Sequence, residues 1–301
     1  MTRVAEPILV RAIGRWALTA IVVNSVIGSG IFGLPSALAG LAGAWSPVTV
    51  LLAGASVFLV VLCFAEVGSR FDESGGPYLY AREAFGPAAA FQVGWLHLWT
   101  RVLSAAAVLN VLVAYLAAIA PWAGTPAGRA LAMTAGLTIA TAVNVIGIRQ
   151  AAWSVNLFTI AKLLPLVAVI LLGAFHIRGD LLATQLVPHP DWTQAVLLLV
   201  FGYGGFESAV VAAGESRDPR RDTAFALIVA MLSITALYAL MQLVVVGVLP
   251  NAKDQPAPIV ATLRELVGAP GGMIGALAVV VSVYGWLLGF VLTTPRILFA
   301  M

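Results

Sequence analysis

Two glycine-rich stretches and one lysine carry the residue types and spacings that bear on chemistry. The first stretch is Gly28-Ser29-Gly30-Ile31-Phe32-Gly33, and the second is Gly202-Tyr203-Gly204-Gly205-Phe206-Glu207. Lys162 follows Thr159 and Asn156 at successive spacings of three, so the three residues share one helical face. As a string, the first stretch matches the GxGxxG dinucleotide fingerprint. The context does not fit: no strand pattern precedes it, and the next acidic residue is Glu66, far beyond the ribose-binding position. Glycines in a helix instead weaken it, by about 1 kcal/mol each relative to alanine. Both stretches therefore read as interruptions of a helix.

A broken helix exposes a particular chemistry. The half-helix that starts after a break offers free N–H groups and the positive end of its dipole, which suit a carboxylate. The half-helix that ends before a break offers free carbonyls, which suit an ammonium. A zwitterionic amino acid carries both groups. Ser29, Gly30 and Ile31, opening just after Gly28, are the candidates for the carboxylate. Carbonyls near Val26, Phe201 and Gly204 are the candidates for the amine, with Tyr203, Gly205 and Glu207 completing the second break. Close packing through small residues is the alternative reading of either cluster alone. Two interrupted spans at corresponding places in two halves are instead a pointer to a transporter binding site.

Ionisable residues within apolar runs add to this. Lys162 is expected either to exchange a proton during transport or to hold helices together through backbone carbonyls; an intramembrane lysine is a functional candidate by default. Arg101 and His97 share a small, polar face with Gly94, Ser104 and Ala105, so that face should point inward. Glu207 is the expected partner of Arg101, as part of the site or as a structural ion pair. Trp286 and Phe290 are further candidate lining residues. The three histidines and single cysteine form no pattern of metal-ligand spacing, so no metal is expected, and no cofactor.

These residues need elements that cross a membrane. Hydrophobic residues make up 61% of the 301 positions and charged residues 10%, where a soluble domain carries roughly 25% charge. Mean hydropathy is +1.01. No Asp, Glu, Lys, Arg or His occurs from Trp16 to Ala65. Such runs exceed the ~20 residues needed to cross a bilayer, so the chain reads as an all-α integral membrane protein. The net charge of +3, without a basic cluster interleaved with aromatics, does not indicate nucleic acid. Eight apolar segments are read, near 16–39, 46–67, 85–118, 128–147, 153–175, 192–213, 223–249 and 271–300. A cytoplasmic N-terminus places ten Lys and Arg on the inner side and four on the outer, with Arg101 and Lys162 inside spans. Ala37-Leu38-Ala39 is the string a signal peptidase would cut, but the apolar run before it is too long and seven more follow.

Four stretches make the chain similar to the amino acid–polyamine–organocation permease superfamily. Gly28 to Phe32 resembles its unwound first helix. Ala65-Glu66-Val67-Gly68-Ser69-Arg70-Phe71, on through Glu73-Ser74-Gly75-Gly76-Pro77-Tyr78-Leu79-Tyr80 to Phe85-Gly86-Pro87, resembles its loop between helices two and three. Thr159 to Leu166 resembles its fifth-helix lysine motif, and Phe201 to Ser208 with Glu215-Ser216-Arg217-Asp218-Pro219 its broken sixth helix. The resemblance implies a LeuT-type inverted-repeat bundle, with a first five-helix repeat over 16–175 and a second over 192–301. It implies transport of an amino acid by alternating access in the cell membrane, coupled to protons or to exchange. Ser29 and Gly30 would meet the substrate carboxylate, Phe201 would close over the substrate, and Glu207 would belong to the inner side of that gate. Lys162 would stand where sodium-coupled relatives bind a cation. Helices one, two, six and seven would rock against three, four and eight.

The chain departs from the family pattern at Asp72, where proline is common, and at Thr223-Ala224. It ends at Met301, within the motif that follows helix eight, so the second repeat is expected to be incomplete at three helices. A non-transporting membrane subunit or inactive permease fragment is the alternative. An embedded enzyme is not expected, because no nucleophile–base or metal spacing is present. The residue pattern leaves the oligomeric state open.

Overall fold

The first apolar run forms two helices, not one. Helix α1 runs Arg15–Val26, Ile27 and Gly28 leave helical geometry, and α2 resumes at Ser29–Ala42. The computed structural model describes residues 13–71, 76–146, 162–207, 210 and 216–301. The remaining helices are α3 (Ser46–Gly68), α4 (Gly76–Phe85), α5 (Pro87–Ala117), α6 (Pro126–Ile146), α7 (Lys162–Ala174), α8 (Gly179–Thr184), α9 (Trp192–Gly202), α10 (Pro219–Val248), α11 (Pro258–Val267) and α12 (Ala269–Ala300). Among the described residues there is no strand, only an isolated bridge between Ile13 and Ser216.

Local chemistry explains most boundaries. Proline opens α3, α5, α10 and α11 in their first turn, where its missing N–H is not needed. Asp191 caps α9 by accepting from the Gln194 N–H at 3.0 Å, and Asp218 caps α10 through the Arg221 N–H. Gly86 separates α4 from α5 at a φ of 85°, a left-handed conformation that favours glycine. The apolar segment read at 85–118 thus starts at Pro87, and the loop before it contains a helix of its own. The short α11, between Pro258 and Gly268, has no counterpart among the eight segments. Of the run 153–175, residues up to 161 lie outside the described residues, as do Asn156, Thr159, Asp72, Ser208 and Glu215.

The helices sort into two packed groups. In one, α10 lies along α1 and α3, while α9 packs on α2 and α3. In the other, α12 packs on α5, α6 and α11. Within the first group, the buried core includes Val26, Ile27, Phe32, Tyr203, Met231 and Tyr238. Large apolar side chains such as Leu59, Leu96, Leu131, Leu197 and Ile274 face outward and are more than half exposed. An apolar exterior of this extent is matched to lipid, not to water. Among the described residues, Pro87–Ala117, Pro219–Val248, Ala269–Val291 and the stretch Ser29–Gly68 are long and apolar enough to cross a membrane. The chain is an integral membrane protein.

Candidate functional site

The two interruptions meet. A β-carbon built on Gly30 would lie 2.9 Å from the Gly202 Cα, and one on Gly205 would lie 2.6 Å from the Ser25 carbonyl oxygen. Glycine at these positions lets the α1/α2 break and the end of α9 touch backbone to backbone. Gly205 also has a φ of 111°, which a side chain would strain. After α9, residues 203–207 form turns, so the second interruption is present as well.

Between the breaks and α5 lies a cavity of about 380 Å³. Val26, Gly28, Ser29, Gly30, Phe201, Gly204, Gly205, Glu207, Trp286 and Arg101 line it. The structure therefore gathers most of the residues singled out by sequence. Of the candidate substrate-binding residues, three lie elsewhere. Ile31 faces a separate void of about 20 Å³ between α2, α9 and α10. Tyr203 is buried, its hydroxyl donating to the Val50 carbonyl on α3 at 3.0 Å. Phe290 stacks behind Trp286, with ring centroids 5.5 Å apart, and does not reach the cavity wall.

The first turn of α2 presents its amides here. Gly28 precedes it, and no side chain caps it. Helix geometry leaves the leading N–H groups of a helix without intrahelical acceptors, and Ser29 and Gly30 both border the cavity.

The carbonyl end of α1 is differently occupied. Lys162 Nζ donates to the carbonyls of Asn24 and, at 2.9 Å, of Ile27. The Tyr238 hydroxyl reaches the Val26 carbonyl at 3.1 Å, and the Gly28 N–H reaches the same oxygen at 2.7 Å. Trp286 Nε1 donates to the Ser25 carbonyl at 3.2 Å. Protein groups thus cover the negative end of the α1 dipole, and both lone pairs of the Val26 oxygen are used. Val26 lines the cavity, but an incoming ammonium would have to displace a donor to bind its carbonyl. On α9, the Phe201 carbonyl accepts from the Gly204 N–H at 3.1 Å and is also approached by the Tyr203 N–H, which is shared with the Leu199 carbonyl. Tyr238 also lies 3.3 Å from the Gly202 carbonyl, so one hydroxyl spans both breaks.

Lys162 is 1% exposed and does not line the cavity. It sits behind the break and acts on it through backbone carbonyls. Its acceptors come from a helix about 135 residues earlier in sequence, as the separations of 135 and 138 record; periodicity alone could not have named them.

Helix α5 contributes a polar stripe. His97, Thr100, Arg101 and Ser104, spaced by three, one and three, all line the cavity. Arg101 lies 5.5 Å from the ring centroids of both Trp286 and Phe290. The charge of Glu207 acts on Arg101 and on His97. One Glu207 oxygen also accepts from the Gly205 N–H at 2.9 Å. Thr100 was missed by sequence reasoning, although the His97–Arg101–Ser104 spacing placed it next to the same face. Phe64, Pro77 and Phe206 complete the wall toward the start of α4. On α4, outside the spanning segments, burial pushes the Tyr80 phenol up to about 12; it stays protonated at ordinary pH and does not titrate there. Among the described residues, no group of His, Cys, Asp and Glu could hold a metal ion.

Interrupted helices around a cavity in a membrane bundle are a pointer to a transporter binding site. Residues 13–301 match the sequence profile of the amino acid permease family, and the chain belongs to that family. It is 30% identical to a putative arginine/ornithine antiporter of Bacillus subtilis, over 93% of this chain and 67% of the relative. It is 28% identical to the serine/threonine exchanger SteT of the same organism, over 95% of this chain and 66% of the relative. The b(0,+)-type amino acid transporter 1 of mouse is 26% identical, over 97% of this chain and 62% of the relative. The chain spans about two thirds of the length of these relatives.

Proposed function

We propose that the protein of which this chain forms part is a secondary transporter that carries an amino acid across the cell membrane by alternating access. The observation that carries the reading is the shared cavity. It brings the uncapped N-terminus of α2 and the turn after α9 to one space. The substrate carboxylate binds the Ser29 and Gly30 amides, where the helix dipole is positive. The ammonium binds on the α9 side, at the Phe201 and Gly204 backbone and near the Glu207 carboxylate. Phe201 and Trp286 enclose the carbon skeleton. Transporters in the same family whose names include amino acid exchange and antiport support this substrate class.

The packing supports alternating access. The group formed by α1, α2, α3, α9 and α10 would rock against α5, α6 and α12. With the N-terminus inside, the cavity reaches toward the cytoplasmic end, where Pro77 opens α4. Two inverted five-helix repeats, the first over 16–175, would supply the symmetry for the opposite state.

Lys162 supplies the coupling. Protonated, it offsets the negative end of α1 and holds the Asn24 and Ile27 carbonyls. Loss of its proton weakens both bonds and loosens α1 against α7. Protonation state and helix position are then linked, which is the requirement for proton-coupled transport or exchange.

The test is uptake of labelled amino acids by reconstituted full-length protein, with and without an imposed pH gradient and with amino acids preloaded inside. Saturable uptake stimulated by either condition is the expected result. Absence of both uptake and binding for every amino acid and amine would remove the transporter reading and favour a non-transporting subunit.

A further inference from the structure

The wall opposite the breaks carries chemistry that selects among amino acids. We infer that Arg101 is the specificity-determining residue, and that the site takes an uncharged side chain bearing a hydroxyl or carboxamide while rejecting cationic ones. The inference rests on the proposed function and names the substrate class of that same site.

Arg101 is a permanent cation fixed in the cavity wall. Its guanidinium lies 5.5 Å from the Trp286 and Phe290 ring centroids. Those rings stack at 16°, and Trp286 is pinned by its bond to the Ser25 carbonyl. Both ring contacts favour keeping the charge at this wall of the cavity.

A lysine, ornithine or arginine side chain would need a carboxylate to meet it. Among the described residues lining the cavity, Glu207 is the one carboxylate. It already accepts from the Gly205 N–H and shares its field with Arg101 and His97. A cationic substrate would compete with Arg101 for Glu207 while being repelled by Arg101. An acidic side chain would be drawn to Arg101 but repelled by Glu207.

The remaining groups suit a neutral polar side chain. The Thr100 hydroxyl donates to the Leu96 carbonyl at 2.9 Å, and the Ser104 hydroxyl to the Thr100 carbonyl at 2.8 Å. Both protons are spent within α5, and both residues line the cavity with oxygens that retain acceptor lone pairs. Arg101 offers donors beside them. A hydroxyl or a carboxamide donates and accepts at once; an ammonium only donates, and an aliphatic chain does neither.

The experiment measures binding of serine, threonine, asparagine, aspartate, lysine, ornithine and arginine to purified full-length protein by isothermal titration, for wild type, Arg101→Gln and Arg101→Lys. In the wild type, serine, threonine or asparagine is expected to bind at least about tenfold more tightly than any cationic amino acid. Arg101→Gln should shrink that ratio several-fold through tighter binding of lysine and ornithine, and Arg101→Lys should preserve it. Equal wild-type affinity for ornithine and serine overturns the inference, as does a ratio unchanged in Arg101→Gln. Should Arg101→Gln not fold, the wild-type ratio still decides. Binding of aspartate above the neutral set would also contradict it. Binding of no amino acid at all removes the proposed function beneath it.

Discussion

Gly30 and Gly202 lie in contact at the junction of the two interrupted helices, so that a β-carbon on Gly30 would come within 2.9 Å of the Gly202 Cα and 3.1 Å of its carbonyl oxygen. Both obstacles are backbone and cannot rotate away. Gly30→Ala should therefore push α2 from α9, lowering stability by roughly 1–3 kcal/mol as overpacking does. Substrate affinity should fall by about tenfold or more, because a 1 Å shift misplaces the α2 amides. Thermal unfolding in detergent and equilibrium binding check the two effects. Wild-type values for both would mean that this contact does not set the site.

Tyr238 offers one hydroxyl to two carbonyls, Val26 at 3.1 Å and Gly202 at 3.3 Å. Tyr238→Phe keeps the ring against Tyr203 and removes only the hydroxyl. A stability loss of about 1 kcal/mol is expected from the lost hydrogen bonding. The larger effect should fall on transport, since the two breaks would no longer be tied to α10. A ratio of uptake rate to substrate affinity equal to wild type would contradict that role.

Lys162→Met removes the donor that satisfies Asn24 and Ile27. The buried Ile27 carbonyl left without this partner costs about 1–3 kcal/mol, and the part-buried Asn24 carbonyl adds less. Uptake measured from pH 5 to 8 should become flat, whatever its absolute rate. Unchanged pH dependence would leave Lys162 as a structural brace alone, which its geometry also permits.

Trp286 joins three functions: it lines the cavity, donates to Ser25 and carries Arg101 on its face. Trp286→Phe retains a ring for Arg101 but loses the indole N–H. It should weaken binding several-fold, the effect of about 1 kcal/mol. Trp286→Ala should cost about 1–2 kcal/mol more through lost ring contact and cation–π attraction. Titration of both variants with the best-bound amino acid measures the difference. Equal losses would show that Arg101 draws nothing from the ring.

The interruptions were legible because glycine clusters stand out in apolar runs, and the α5 stripe because His97, Arg101 and Ser104 repeat at helical spacing. Contacts between distant helices were not. Neither the carbonyl acceptors of Lys162 nor the double reach of Tyr238 has a local signature; both depend on how α1, α7 and α10 are rotated. The same holds for candidates that missed the cavity. Phe290 is one turn beyond Trp286 on α12, enough to place it behind the wall, and Tyr203 turns toward α3 once α9 ends. Helix α11 was missed because ten residues between a proline and a glycine fall short of a spanning signal.

Carboxylate capture by the Ser29 and Gly30 amides is the central claim, and competition binding tests it most directly. Purified full-length protein would be titrated with its best-bound amino acid, with that compound's methyl ester, and with the amine that lacks the carboxyl group. Loss of affinity by about a hundredfold is expected for both analogues, because each leaves the α2 amides without an anion. Binding of the decarboxylated amine as tightly as the amino acid would contradict the claim and place the carboxylate elsewhere.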